Sequence, residues 1–181
     1  MNELPPIRQS VIVPLEIGEA FDLFTRRMTE WWPLGARSVS LADAISCHVE
    51  PHTGGRIYER TRDGREEIWG RVLIWNPPTR LAFTWHPGRP ESAPTEVEVS
   101  FAALGSGTKV DLKHRRWERL GEHAAFVRGR FESGWPGILA RFSECASGAP
   151  ELSPVVGPGC LEADSGVSVE GQRDAERGVR P

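Results

Sequence analysis

The chain has 181 residues, 39% of them hydrophobic and seven of them tryptophan, with a formal charge of −3. That suits one generous domain, or one domain with an appendage. Six acids (Glu151, Glu162, Asp164, Glu170, Asp174 and Glu176) and only three arginines follow Ser147, so the tail carries the whole net charge and residues 1–146 are neutral. A neutral domain has no general attraction for a phosphate backbone, which argues against nucleic acid as a partner.

The start, "MNELPPIRQS", has no basic-then-apolar signal region. No apolar run reaches the ~20 residues that a membrane span needs. Cys47, Cys145 and Cys160 are odd in number and unrelated in spacing. That pattern fits free thiols in a reducing cytoplasm better than a disulfide framework, so the expected location is cytoplasmic. The excess of Arg over Lys reads as compositional bias and not as a set of guanidinium sites.

In chain order, Ile7–Val13 reads as a strand ended by Pro14. In "PLEIGEAFDLFTRRM", Ile17, Ala20, Phe21, Phe24 and Met28 recur at helical spacing. "TEWWPLG" predicts a second short helix stopped by Pro33. From Ala44 the period changes to two, with Ile45, Cys47 and Val49 expected inward. "RIYERTRDGREEIWGRVLIW" predicts a hairpin with Asp63-Gly64 at its tip. After the turn "NPP", Leu81, Phe83 and Trp85 share one face of a strand. Val97, Val99 and Phe101 do so on the next strand, and Val110, Leu112 and His114 on the last. One-sided alternation along consecutive short strands predicts an antiparallel meander with one face covered.

The cover is a long helix from about Gly121 to Cys145. Its apolar stripe (Ala124, Val127, Phe131, Trp135, Ile138, Phe142, Cys145) keeps phase on both sides of "GWPG". A helix that stopped at Pro136 would have no reason to keep phase, so one helix bent at Pro136 is expected. The fold class is therefore α+β: a curved antiparallel sheet wrapped around a bent C-terminal helix, with two short helices after the first strand. This domain is expected over residues 1–146. The Gly-, Pro-, Ser- and acid-rich residues 147–181 show no periodicity and read as a disordered tail.

Five stretches carry a family resemblance: "EWWPLG" at 30–35, "GGRIYER" at 54–60, "IWGRVLIWNPPTRLAFTW" at 68–85, "HRRWERLG" at 114–121 and "ESGWPGILARF" at 132–142. In order they resemble the bacterial homologues of the activator of heat-shock protein 90 ATPase, in the SRPBCC superfamily with START lipid-transfer domains and birch-pollen-allergen-like proteins. The resemblance implies a helix-grip fold over residues 7–146. It does not fix a function, because the superfamily spans lipid carriers, polyketide cyclases and self-resistance proteins, so function has to be argued from the site.

The leading candidate site is the wall formed by Phe83, Trp85, Val97, Val99, Leu112, His114, Phe131 and Trp135. Such a wall either lines a pocket for an apolar or amphipathic small molecule or fills the space itself as core. His114 is a ligand contact, a general base or a satisfied core histidine. "CHVEPH" at 47–52 offers metal-ligand types, but strand alternation turns Cys47 away from His48 and Glu50, so no metal site is expected. Trp31 and Trp32 either line a pocket mouth or a partner surface, or, as the favoured reading, are one anchor of the short helix and one partly exposed ring. Trp69 and Trp75 read as an outer-face pair, a patch that would suggest a homodimer. No nucleophile elbow, Cys–His pair or phosphate loop is present, and no cofactor is implied. The expectation is a small-molecule binder without chemistry of its own. The alternatives are a chaperone-associated or regulatory interaction module, or a cyclase- or hydrolase-type enzyme using His114.

Overall fold

A computed structural model describes residues 4–148. The acidic tail expected after residue 146 lies, apart from Ser147 and Gly148, outside the described residues. The elements run β1 (Ile7–Val13), α1 (Ile17–Phe24), a 3-10 turn at Met28–Glu30 and another at Leu41–Asp43, then β2 (Ala44–Val49) and β3 (Arg56–Thr61). They continue with β4 (Glu66–Asn76), β5 (Arg80–Trp85), β6 (Thr95–Leu104), β7 (Gly107–Arg115), a 3-10 segment at Trp117–His123 and α2 (Ala124–Ala146). The strands form one antiparallel sheet in the order β1-β7-β6-β5-β4-β3-β2. Only β1 breaks sequence order, crossing to pair with β7. The sheet curls round α2 in the helix-grip arrangement.

The helix runs unbroken through Pro136. Proline removes the N–H that would have met the Glu132 carbonyl, a loss that costs most where water is absent. Here Glu132 and Pro136 both lie on the exposed face, while Gly134, Trp135, Ile138, Leu139 and Phe142 face the sheet. Solvent therefore serves the freed carbonyl, and the apolar stripe stays in phase. The face toward the sheet joins Phe21 and Phe24 of α1 in one core, where Phe24 meets Phe142 at 5.3 Å between ring centroids.

β7 follows simple alternation along its length and β6 does so as far as Phe101, with Val97, Val99, Phe101, Val110, Leu112 and His114 all buried. β4 does not, and here the sequence expectation is corrected. The pairing with β3 slips between Ile57/Gly70 and Tyr58/Ile68, leaving Trp69 as an extra residue. The pairing with β5 slips again at Leu73. Each bulge reverses the phase of the strand. Trp69 is consequently fully buried, and Trp75 turns onto Phe21 at 5.2 Å. The outer aromatic patch expected from Trp69 and Trp75 does not form, and the sequence cue for a homodimer goes with it. A third slip, at the start of β2, puts Ile45 outside at 50% exposure while Cys47 stays buried.

Around "TEWWPLG" the helix is a single 3-10 turn ending before Trp31. Both tryptophans are buried, against the expectation that one would be exposed. Trp31 Nε1 donates to the Leu23 carbonyl at 2.8 Å, and Trp32 Nε1 to that of Arg37 at 3.3 Å. Those bonds let two polar-tipped rings enter the core. Among the described residues, no helix is long and apolar enough to cross a membrane.

Candidate functional site between the helix and the sheet

The eight residues of the expected wall converge. Phe83 and Trp85 on β5, Val97 and Val99 on β6 and Leu112 and His114 on β7 all face α2, and seven of the eight are buried. Phe131 is half-buried at the rim and Trp135 lies beneath it. Their rings meet one another: Phe83–Trp85 at 5.5 Å, Trp85–Trp135 at 6.4 Å, His114–Phe131 at 4.8 Å and Phe131–Trp135 at 6.3 Å. Trp32 and Trp69 extend the cluster, standing 5.7 and 5.6 Å from Trp85. These are ordinary packing distances between aromatic rings.

His114 is engaged on both ring nitrogens. The Trp135 indole nitrogen can only donate, and it lies 3.1 Å from Nδ1. Nδ1 must therefore accept, which leaves the ring proton on Nε2. Nε2 donates to Thr95 Oγ1 at 2.8 Å, and the Thr95 hydroxyl donates in turn to the Trp85 carbonyl at 2.8 Å. The chain requires a neutral imidazole. Burial holds the His114 pKa well below its ordinary value, and the nearby Arg89 charge adds to the effect. A histidine with a donor on Nδ1 and an acceptor on Nε2 has no lone pair left for a substrate proton.

The rim opens between three segments. Trp32 and Arg37 come from the stretch after α1, Trp85 and Pro87 from the end of β5, and Phe131 and Gly134 from α2. The cleft they enclose holds about 20 Å³, room for roughly one water. Gly134 matters here because a methyl group at that position would sit 3.6 Å from Arg37 Nη1, in ordinary contact. Sequence reasoning found Trp85 and Phe131, offered Trp32 only as one alternative, and missed Arg37, Pro87 and Gly134. Position 134 looked only like a helix breaker.

Among the described residues, several buried polar atoms lack a hydrogen-bond partner: Trp85 Nε1, from a residue that lines the cleft, and His86 Nε2, Arg89 Nη1, Arg115 Nε and Trp117 Nε1, from residues outside its lining. Buried donors are almost always paired, so each such atom calls for an explanation. A further polar residue, Glu59, was not singled out from the sequence. Its carboxylate is fully buried and accepts from Val39 N at 2.9 Å, Ser40 N at 2.6 Å and Trp69 Nε1 at 3.0 Å. It pins the segment that carries Arg37 to the sheet. Its strand parity, shared with the buried Ile57, was the signal that could have found it.

The residues of "CHVEPH" diverge. Cys47 is turned into the core, and burial pushes its thiol up to about 12. His48 meets Ser46 Oγ at 2.8 Å and Glu50 pairs with Arg56 at 2.7 Å.

A family model of the Activator of Hsp90 ATPase homolog 1-like proteins matches residues 15–147. The chain belongs to that family. Among solved structures it is similar to the anthrahydroquino-gamma-pyrone synthase Txn09 complexed with SUM, at 37% identity over 78% of this chain and 97% of that one, with a TM-score of 0.56. The self-sacrificing resistance protein CalC from Micromonospora echinospora is similar at 30% identity over 78% and 94%, with a TM-score of 0.59. The Aha1 dimer from Colwellia psychrerythraea, at 15% identity over 80% and 97% and a TM-score of 0.57, is similar in fold. No protein of curated function matches in sequence. A fold of this kind, with neighbours of this kind, suggests ligand binding.

Proposed function

We propose that this protein binds a small apolar or amphipathic molecule with an aromatic body, held between α2 and the sheet, and performs no chemistry on it. The observation that carries this reading is the rim cleft itself: aromatic walls from three segments, with the buried Trp85 N–H beside it unmatched by any protein acceptor. Apolar walls with a few placed polar groups are what small-molecule sites use, and occupied sites commonly span 300–1,000 Å³. A cleft of about 20 Å³ is much smaller. Binding therefore requires Phe131 and the Arg37 side chain to move aside. Both sit at the rim and not in the deep core.

The neutral fluorophore N-phenyl-1-naphthylamine tests this. Saturable one-to-one binding with enhanced emission is expected. Gly134→Met should weaken it at least tenfold by filling the cleft. The same change should not unfold the protein, because Gly in a helix interior costs ~1 kcal/mol relative to good helix formers. Absence of saturable binding, or binding indifferent to Gly134→Met, would remove the reading.

The 37% identity to a synthase favours a second reading, in which the same cleft shapes a polyketide-like substrate for ring closure. The bonds at both His114 nitrogens speak against that residue as its base. Turnover of such a substrate that is abolished by Gly134→Met would support the second reading over the first.

A further inference from the structure

The loop between β5 and β6 holds a guanidinium without an acid. Arg89 Nη2 donates to the Trp85 carbonyl at 3.0 Å, while Nη1 is buried and has no partner. Among the described residues, no carboxylate lies within ion-pair distance of Arg89. The other arginines near this end of the sheet behave differently: Arg71 pairs with Glu91, Arg115 with Glu96 and Glu98, and Arg119 with Glu96. Burial alone pulls Arg89 below its ordinary pKa, but a guanidinium starts so high that it stays charged.

The loop is built to hold this group in place. The Arg89 backbone N–H donates to the His86 carbonyl at 2.9 Å, and His86 Nδ1 donates back to the Arg89 carbonyl at 3.1 Å. The Trp85 carbonyl that receives Arg89 Nη2 is the one that receives Thr95 Oγ1, and Thr95 leads to His114 and Trp135. Arg89 thus stands at the head of a hydrogen-bonded chain running from the loop into α2. His114 is held neutral, so the chain supplies no second charge, positive or negative. A fixed cation with a spare donor, on the loop whose Trp85 and Pro87 wall the aromatic cleft, matches one kind of ligand.

We infer that Arg89 is an anion receptor for the bound molecule, so that the ligand is an aromatic acid: a planar apolar body carrying a carboxylate, an ionised phenol or another oxyanion. The inference rests on the cleft being a ligand site, and it adds the charge of what enters. A guanidinium–oxyanion bond is worth about tenfold or more in affinity over a neutral contact.

Two fluorophores sharing one skeleton test it: 1-anilinonaphthalene-8-sulfonate, which is anionic, and N-phenyl-1-naphthylamine, which lacks the sulfonate. The full chain should bind the anion about tenfold more tightly. Arg89→Gln, confirmed folded by circular dichroism, should cancel that preference and leave the neutral probe unchanged. Arg80→Gln, which removes one of the two arginine partners of Glu98 on the outer face, should change neither. If the neutral probe binds but the anion gains nothing, or if Arg89→Gln weakens both alike, the anion receptor is wrong and the binding site stands. If neither probe binds, both fall.

Discussion

Glu59 and Arg89 are two charges drawn below the surface of one small domain, and they are treated in opposite ways. Glu59 meets three N–H donors, from Val39, Ser40 and Trp69, and is closed to solvent. Arg89 has one carbonyl for its two terminal nitrogens, and one of those nitrogens is buried without an acceptor. A buried charge whose bonds are complete specifies the fold around it. One whose bonds are incomplete destabilises the fold until something else completes them. The contrast assigns Glu59 to architecture and Arg89 to recognition, and each half can be broken separately.

The largest effect is expected at Glu59. Glu59→Ala strips an acceptor from three donors at once, and unmatched buried donors cost ~1–3 kcal/mol each. A loss of roughly 3–5 kcal/mol in chemical denaturation is expected, with loosening of the Arg37 segment visible as faster amide exchange at Val39 and Ser40. A loss below about 1 kcal/mol would show that the triple bond is incidental.

Next in size is Gly70, because it makes the bulge that brings Trp69 to Glu59. An added Cβ would lie 1.8 Å from the Thr84 carbonyl oxygen across the strand pair, a contact that only backbone movement relieves. Gly70→Ala should cost about 1–3 kcal/mol. Its near-ultraviolet circular dichroism should change too, since the indole of Trp69 is re-aimed. An unchanged spectrum and stability would mean the bulge tolerates a side chain.

These two residues also mark where the sequence was readable. β6, β7 and α2 carry one unbroken period each, so their buried faces, the convergence of the eight candidate wall residues and the continuity through Pro136 could all be derived from spacing. β4 carries two extra residues, and a single slip turns every later side chain to the opposite face. Nothing in "IWGRVLIW" announces where the slip falls except Gly70, whose need for close approach appears only once Thr84 is opposite it. Arg89 was unreadable for another reason. Its meaning lies in which partners it lacks, and a lack of partners is a property of three-dimensional neighbours, which no sequence spacing encodes.

A smaller, pH-dependent effect is expected at His114. Its folded pKa lies below the unfolded one, so the unfolded chain binds the extra proton. The stability it supports is present above about pH 6.5 and is lost as pH falls through and below that value, at ~1 kcal/mol per pH unit. His48, also depressed by burial and by Arg60, contributes in the same direction. Thermal melting should therefore decline between pH 7 and pH 5, and His114→Gln should flatten that decline while lowering stability at pH 7. An equally steep decline in the variant would place the titrating group elsewhere.

The smallest effect is the one that tests the contrast most directly. If Arg89 were a structural staple, its removal would resemble that of Glu59, scaled to one hydrogen bond. The loop, however, keeps its own bonds between His86 and position 89, since both run through the backbone of residue 89 and survive a side-chain change. Arg89→Met gives up the bond to the Trp85 carbonyl, worth ~1 kcal/mol, and that carbonyl still accepts from Thr95. In exchange it removes a desolvated cation with an unmatched donor, a relief of similar size. The two should cancel to within about 0.5 kcal/mol, or tip toward greater stability, as sites kept for binding commonly do when their polar group is taken away. A loss of 2 kcal/mol or more on Arg89→Met would make Arg89 part of the scaffold after all. The difference between the two buried charges would then be one of degree.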